Sequence, residues 1–286
     1  FRRLRLRHGH GVRRHVRIAR LVRSVCLRGA FHRRGAELVR QAIGAAQACL
    51  DAGYAATAWG AMYDYEGNFL RDIHGTPIES STLPPMNGVT RPKLHEILTE
   101  RANEVGVTIQ YSTSFVDLEE RENDVLVTLD NGDQITADVV VGADGVSSRV
   151  RRYVLDAALR PQYVGQSAYR QNMPLLPEID RIILQDGPSG MAGFVPIGKD
   201  LAYMFFNKPM ARDERPATED LPSALRKELE GFGGLAGRFR DEFLSDDPAD
   251  IVLGADVIHV GGGNTANMPD MWRRQGVDEL MHRALA

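Results

Sequence analysis

Cysteine is scarce in this sequence: Cys26 and Cys49 are the only two in 286 residues. They make no metal-ligand spacing and no disulfide framework, which excludes a cysteine-built metal site and a stapled mini-domain. No apolar run approaches the roughly 18 residues of a membrane span, so no spanning helix is expected. Lysine is absent from the first 40 residues, and methionine is absent before Met62. Aromatics make up 7% and charged residues 26%, an ordinary globular balance. With cysteine so sparingly used, a reducing cytoplasm is the expected setting.

Net charge divides the chain unevenly. Residues 1–40 hold 13 Arg and one acid, Glu37, while the remainder carries 22 basic against 37 acidic residues. Within 1–36 arginine falls on every face of any helix, so the segment has no amphipathic period. It reads as a basic arm for phosphates, as a transit peptide short of serine, as a solvated terminus, or as GC-rich coding sequence in a shifted frame. A start at Phe1 suits a fragment or an incomplete reading frame. The acidic remainder is a poor scaffold for nucleic acid, and no such partner is expected.

Order begins near residue 37. Leu38, Val39, Ile43, Ala46 and Leu50 recur at helical spacing, with Gly53 at the C′ position. Two strands flank Glu66-Gly67-Asn68. A second helix runs through "TRPKLHEILTERANEVG", with Thr90 as its cap and Pro92 in its first turn. Strands are predicted at "VTIQYSTSF", "DVLVTL" and "DQITADVVV", the last two joined by an Asp130-Asn131-Gly132 turn. Residues 156–210 alternate like a half-solvated antiparallel sheet, and 221–244 is a helical stretch broken at Gly231 to Gly234. From 253 the texture changes again, to "ADVIHV", "GGGNTANM" and a helical tail.

"ADVVVGADGVSSRVRRYVL" concentrates the chemistry. A buried strand is expected to deliver Gly142-Ala143-Asp144-Gly145 to a sheet edge. Glycine lets backbone approach a ligand. Ser147 and Ser148 can cap the following helix, Asp144 offers acceptors for ligand hydroxyls, and Arg149 and Arg151 add cations. A phosphate-bearing, polyhydroxylated cofactor suits this set. A plain strand-to-helix turn with a capping aspartate accounts for it equally.

The motif resembles the second flavin-binding motif of the FAD-dependent aromatic-hydroxylase family, the para-hydroxybenzoate hydroxylase-like monooxygenases. The matching positions are Asp144, Gly145, Ser148 and Arg151. "MNGVTRPKLHEILTERANEVGV" resembles the family helix that places Arg91 near the flavin. "YVGQSAYR" and "MAGFVPIGKDLAYMFF" resemble its substrate sheet, and the likeness spans about 41–252. It implies an α/β (mixed α+β) fold: a truncated Rossmann-like FAD-binding domain over 37–155 and an antiparallel substrate domain over 156–252. It also implies FAD as cofactor, NAD(P)H as reductant, and O2 captured as a flavin C4a-hydroperoxide that hydroxylates a small aromatic substrate. Arg91, Asp144, Gly145, Ser148 and Arg151 become the cofactor residues, with no obligatory protein nucleophile. Tyr169, Arg170 and Phe194 are substrate candidates that would serve equally as core or surface residues.

Two family motifs are missing from this reading. The G-x-G-x-x-G of the opening βαβ unit does not occur in 1–36, where Arg14 stands at the third glycine position after Gly9-His10-Gly11. The later Gly-Asp motif is not reached, so activity is expected to be impaired or replaced by a non-catalytic remnant. Residues 255–286 instead resemble the peptidase E-like serine dipeptidases, whose Gly-Gly-Gly-Asn-Thr turn helps form an oxyanion hole. The nucleophile of that family lies beyond Ala286. Gly261, Gly263 and Ala266 also satisfy G-x-G-x-x-A, but no second strand ending in an acid follows.

Overall fold

The computed structural model describes residues 43–75, 83–155, 157–255 and 258–260. Its centre is a seven-stranded sheet of β2 (Gly60–Asp64), β3 (Phe69–Ile73), β9 (Gln166–Pro174), β10 (Ile182–Gly187), β11 (Gly190–Pro196), β12 (Leu201–Pro209) and β13 (Ile251–Ala255). The spatial order is β13-β9-β12-β11-β10-β2-β3. Every pairing is antiparallel except β10 with β2. The predicted antiparallel sheet is therefore present. It draws β2 and β3 from the segment assigned to the flavin-binding part, and β13 crosses residue 252.

Period-two alternation gives the sheet two unlike faces. On one face Ala61, Tyr169, Ile183, Phe194, Met204 and Phe206 pack beneath α4 (Leu221–Glu228) and α5 (Gly234–Arg238). Leu225, Leu229, Ala236 and Phe239 of the helical layer are wholly buried there. Each large apolar side chain so covered contributes about 1.5–3 kcal/mol. The break at Gly231 to Gly234 is held by Arg240. Its Nη1 donates to Leu229 O at 2.7 Å, Phe232 O at 3.0 Å and Glu230 O at 3.2 Å, satisfying carbonyls at the end of α4. Buried Gln185 ties this layer to the β2–β3 turn: its Nε2 donates to Asp64 O and Gly233 O, and its Oε1 accepts from Ala236 N.

The opposite face is covered by a two-stranded sheet, β1 (Tyr54–Ala56) with β4 (Met86–Gly88). Ala56 and Met86 pack on Ile182, Leu184, Val195 and Phe205. Approach is close: a Cβ on Gly88 would stand 1.9 Å from Pro196 O. β4 leads into α2 (Arg91–Glu104), which packs Leu94 and Ile97 on Ala45 and Cys49 beside α1 (Ala46–Ala52). A third sheet, β5 (Phe115–Glu120), β6 (Val125–Leu129) and β7 (Gln134–Ala137), carries the predicted 130–132 hairpin, with Gly132 at φ 88. α3 (Arg149–Val154) follows it. A short β8 (Pro161–Tyr163) pairs with β14 (Ile258–Val260).

Four local expectations fail. Residues 107–114 and 138–141 form no strand; β5 starts at Phe115 and β7 ends at Ala137. Val139 and Val141 are 61% and 63% exposed, so the buried strand expected before Gly142 is absent. A strand needs a neighbour for its amides and carbonyls, and among the described residues neither segment has one. Gly53 is extended (φ −106, ψ −163) rather than left-handed. It is glycine for space, since a Cβ would meet Gly88 O at 2.5 Å. Thr90 precedes α2 without a side-chain capping bond. The glycine turn at 261–265 and the peptidase-like tail lie outside the described residues, as does the Arg-rich segment 1–36.

Candidate functional site

The turn from Gly142 to Arg151 is built around one carboxylate. Ser148 Oγ donates to Asp144 Oδ1 at 2.5 Å, while the amides of Arg149 and Val150 donate to Oδ2 at 2.6 and 3.2 Å. Ser148, only 7% exposed, accepts from Arg151 N at 3.0 Å and so caps α3. Gly145 takes φ 84, a left-handed conformation that costs other residues about 1–2 kcal/mol. Gly142 lets α3 fold back: a Cβ there would come within 2.7 Å of Val150. Burial pushes the Asp144 carboxyl up, but the Ser148 hydroxyl and the two amides outweigh it and hold the group below its ordinary value.

Four of the five predicted cofactor residues thus meet in one turn: Asp144, Gly145, Ser148 and Arg151. Arg91 stands apart as the first residue of α2, with an exposed side chain. Asp144 faces inward more than expected, since three donors of its own chain already occupy it. Ser148 caps and Ser147 does not. Arg149 turns away, its guanidinium lying 5.0 Å over the Phe115 ring. Tyr153, which the sequence reading missed, anchors α3 by donating to Asp117 Oδ1 at 2.9 Å and Val116 O at 3.2 Å. Tyr169 and Phe194 are core residues under α4 and α5, 1% and 0% exposed, whereas Arg170 lies on the other face. Among the described residues no group of three or more His, Cys, Asp or Glu could hold a metal ion.

The turn fits part of a flavin nucleotide. Arg151 Nη2 donates to Val146 O at 2.8 Å, yet its Nε is buried without an acceptor. A buried guanidinium nitrogen left unbonded is costly unless an anion or hydroxyl completes it.

A family model described as "FAD binding domain" matches residues 8–230. The chain belongs to this FAD-binding domain family. The FAD-binding domain match opens inside the Arg-rich segment and closes at the end of α4. YetM of Bacillus subtilis, whose name places it among FAD-dependent monooxygenases, is 27% identical over 210 residues, covering 72% of this chain and 56% of YetM. A 3-amino-4-hydroxybenzoate 2-monooxygenase of Streptomyces platensis is 26% identical over 199 residues, 68% of this chain and 49% of the relative. The chain therefore spans about half the length of these curated relatives. Klebsiella pneumoniae HpxO complexed with FAD and uric acid shares the fold, with TM-score 0.68 and 18% identity over 79% of this chain and 58% of HpxO. Among the described residues no helix is long and apolar enough to cross a membrane.

Proposed function

We propose that this chain is the FAD-holding and substrate-sheet part of a monooxygenase that hydroxylates a small aromatic substrate with NAD(P)H and O2. The observation that carries the reading is the Asp144 turn, with its left-handed Gly145 and the unsatisfied Arg151 Nε. FAD, when bound, supplies the electron transfer and oxygen activation. The chain's own residues bind and orient it. Arg151 and the Gly145 backbone would hold it at the turn, where Ser148 and Asp144 keep both in place. Arg91 and the first-turn amides of α2, which have no side-chain cap, would meet its phosphates. An aromatic substrate agrees with the hydroxybenzoate named for the Streptomyces relative.

A second reading, a remnant with weak or no flavin binding, draws on the exposed Val139 and Val141 beside the turn. Titrating FAD with the full chain and following flavin fluorescence separates the two. Quenching with a micromolar constant, about 8 kcal/mol, supports the monooxygenase reading. No quenching up to millimolar chain, about 4 kcal/mol, supports the remnant.

A further inference from the structure

α3 continues the Asp144 turn, yet it has only six residues, too few to persist on its own hydrogen bonds. Its outer face is held by the third sheet. β5 carries one residue more than its partner can match: Phe115 pairs with Leu129 and Asp117 with Thr128, which leaves Val116 as a β-bulge. A bulge leaves a residue unpaired in the ladder. Here Val116 O accepts from α3 instead, from the Tyr153 hydroxyl at 3.2 Å and from Arg149 Nη2 at 3.4 Å. The same two side chains grip the residues on either side of the bulge. The Arg149 guanidinium lies 5.0 Å over the Phe115 ring, and the Tyr153 ring meets that ring edge-on, centroids 6.1 Å apart. Tyr153 shares its hydroxyl proton between Val116 O and Asp117 Oδ1, the latter at 2.9 Å. The bond to Asp117 pushes the hydroxyl above its ordinary value, so it remains a donor at neutral pH. Arg149 and Tyr153 lie at i and i+4, so both reach β5 from one face of α3. Arg149 also joins the two ends of this contact: its amide donates to Asp144 Oδ2 at 2.6 Å while its guanidinium sits on β5. A shift of α3 along β5 therefore carries with it the Asp144 carboxylate, Ser148 and Arg151.

We infer that Tyr153 and Arg149 are positioning residues for the flavin: they latch α3 onto the Val116 bulge, and the latch sets where the Asp144–Arg151 turn meets the cofactor. This rests on the monooxygenase reading. Neither side chain has to reach the flavin, because both are engaged on β5.

The test uses the full chain and FAD, with two readouts: the FAD constant from flavin fluorescence, and the visible circular dichroism of the bound flavin at saturating FAD. Tyr153→Phe removes the hydroxyl and keeps the ring. It should weaken FAD about threefold to tenfold, the range for one modest hydrogen bond, and change the bound-flavin spectrum, because a displaced turn reorients the ring system. A role in stability alone would lower the folded fraction and leave the spectrum of the bound form as it is. Arg149→Gln should act in the same direction, and Arg149→Lys, which keeps a cation over Phe115, should recover part of the loss. Because either change opens the one latch, the Tyr153→Phe/Arg149→Gln double variant should lose less affinity than the two single losses added as free energies. If Tyr153→Phe loses its native far-ultraviolet dichroism, the two Arg149 variants carry the comparison. A wild-type bound-flavin spectrum in the variants overturns the inference, whatever the constant does. Flavin quenching by the wild-type chain with those spectra unchanged sinks this inference alone; no quenching by the wild-type chain sinks the monooxygenase reading and the inference with it.

Discussion

Removing the Asp144 carboxylate tests whether it builds the turn or touches the ligand. Asp144→Ala deletes the acceptor for Ser148 Oγ and for the amides of Arg149 and Val150. Losing a helix-capping side chain costs about 0.5–2 kcal/mol. Bonds to a charged group run higher, about 1.5–3 kcal/mol each, but much of this carboxylate remains solvated, which favours the lower figure. A local loss of about 1–2 kcal/mol is expected, a factor of about 5–30 in the closed population. α3 has six residues, too few to persist without its cap, so the loss should fall there. Hydrogen exchange of amides 149–154 reads it directly, while the melting of the main core should hardly move. FAD affinity should fall in parallel. Unchanged exchange with unchanged FAD affinity would refute the turn-building role. Unchanged exchange with weakened FAD would mean the carboxylate acts on the ligand instead. Because the folded carboxyl lies below its ordinary value of 3.8, its stabilisation is complete above the unfolded value and lost as pH falls through the folded one. Protection of α3 should therefore hold above about pH 5 and decline below about pH 4.

Other outcomes follow from burial. Gln185→Leu strands the buried Ala236 N and takes one of two donors from the carbonyls of Asp64 and Gly233, which keep the amides of Gly67 and Gly237, so urea unfolding should show a loss of about 1–3 kcal/mol. Val139→Asp should change stability by no more than about 0.5 kcal/mol, because the side chain is 61% exposed; a loss of several kcal/mol would show that Val139 is buried in a strand in solution.

Much was legible locally. The Gly67 and Gly132 turns, the antiparallel strands of 161–209 and the broken helix after Leu221 all follow from short-range patterns: alternation, turn residues and helical spacing. So did the Asp144 motif, because a capping aspartate, a left-handed glycine and a capping serine lie within a few residues. The missed elements depend on distant partners. "VTIQ" and "DVVV" have the composition of buried strands, yet strand formation requires neighbours that the pattern of a single segment does not reveal.

Tertiary structure decided which face each residue serves. Tyr169 and Arg170 are adjacent in the chain, and pleating sends one under α4 and α5 and the other to the opposite face. Nothing in "AYRQ" says which face the helices cover. Likewise, Arg149 and Arg151 looked interchangeable as cations, but packing on Phe115 occupies the first and leaves a buried nitrogen of the second without an acceptor. Residue types and short spacings set the turns, the caps and the family motif, because those interactions close within a few residues. Strand partners, sheet faces and the unmet donor at the turn depend on contacts between segments far apart in the chain, and only the folded arrangement brings those together.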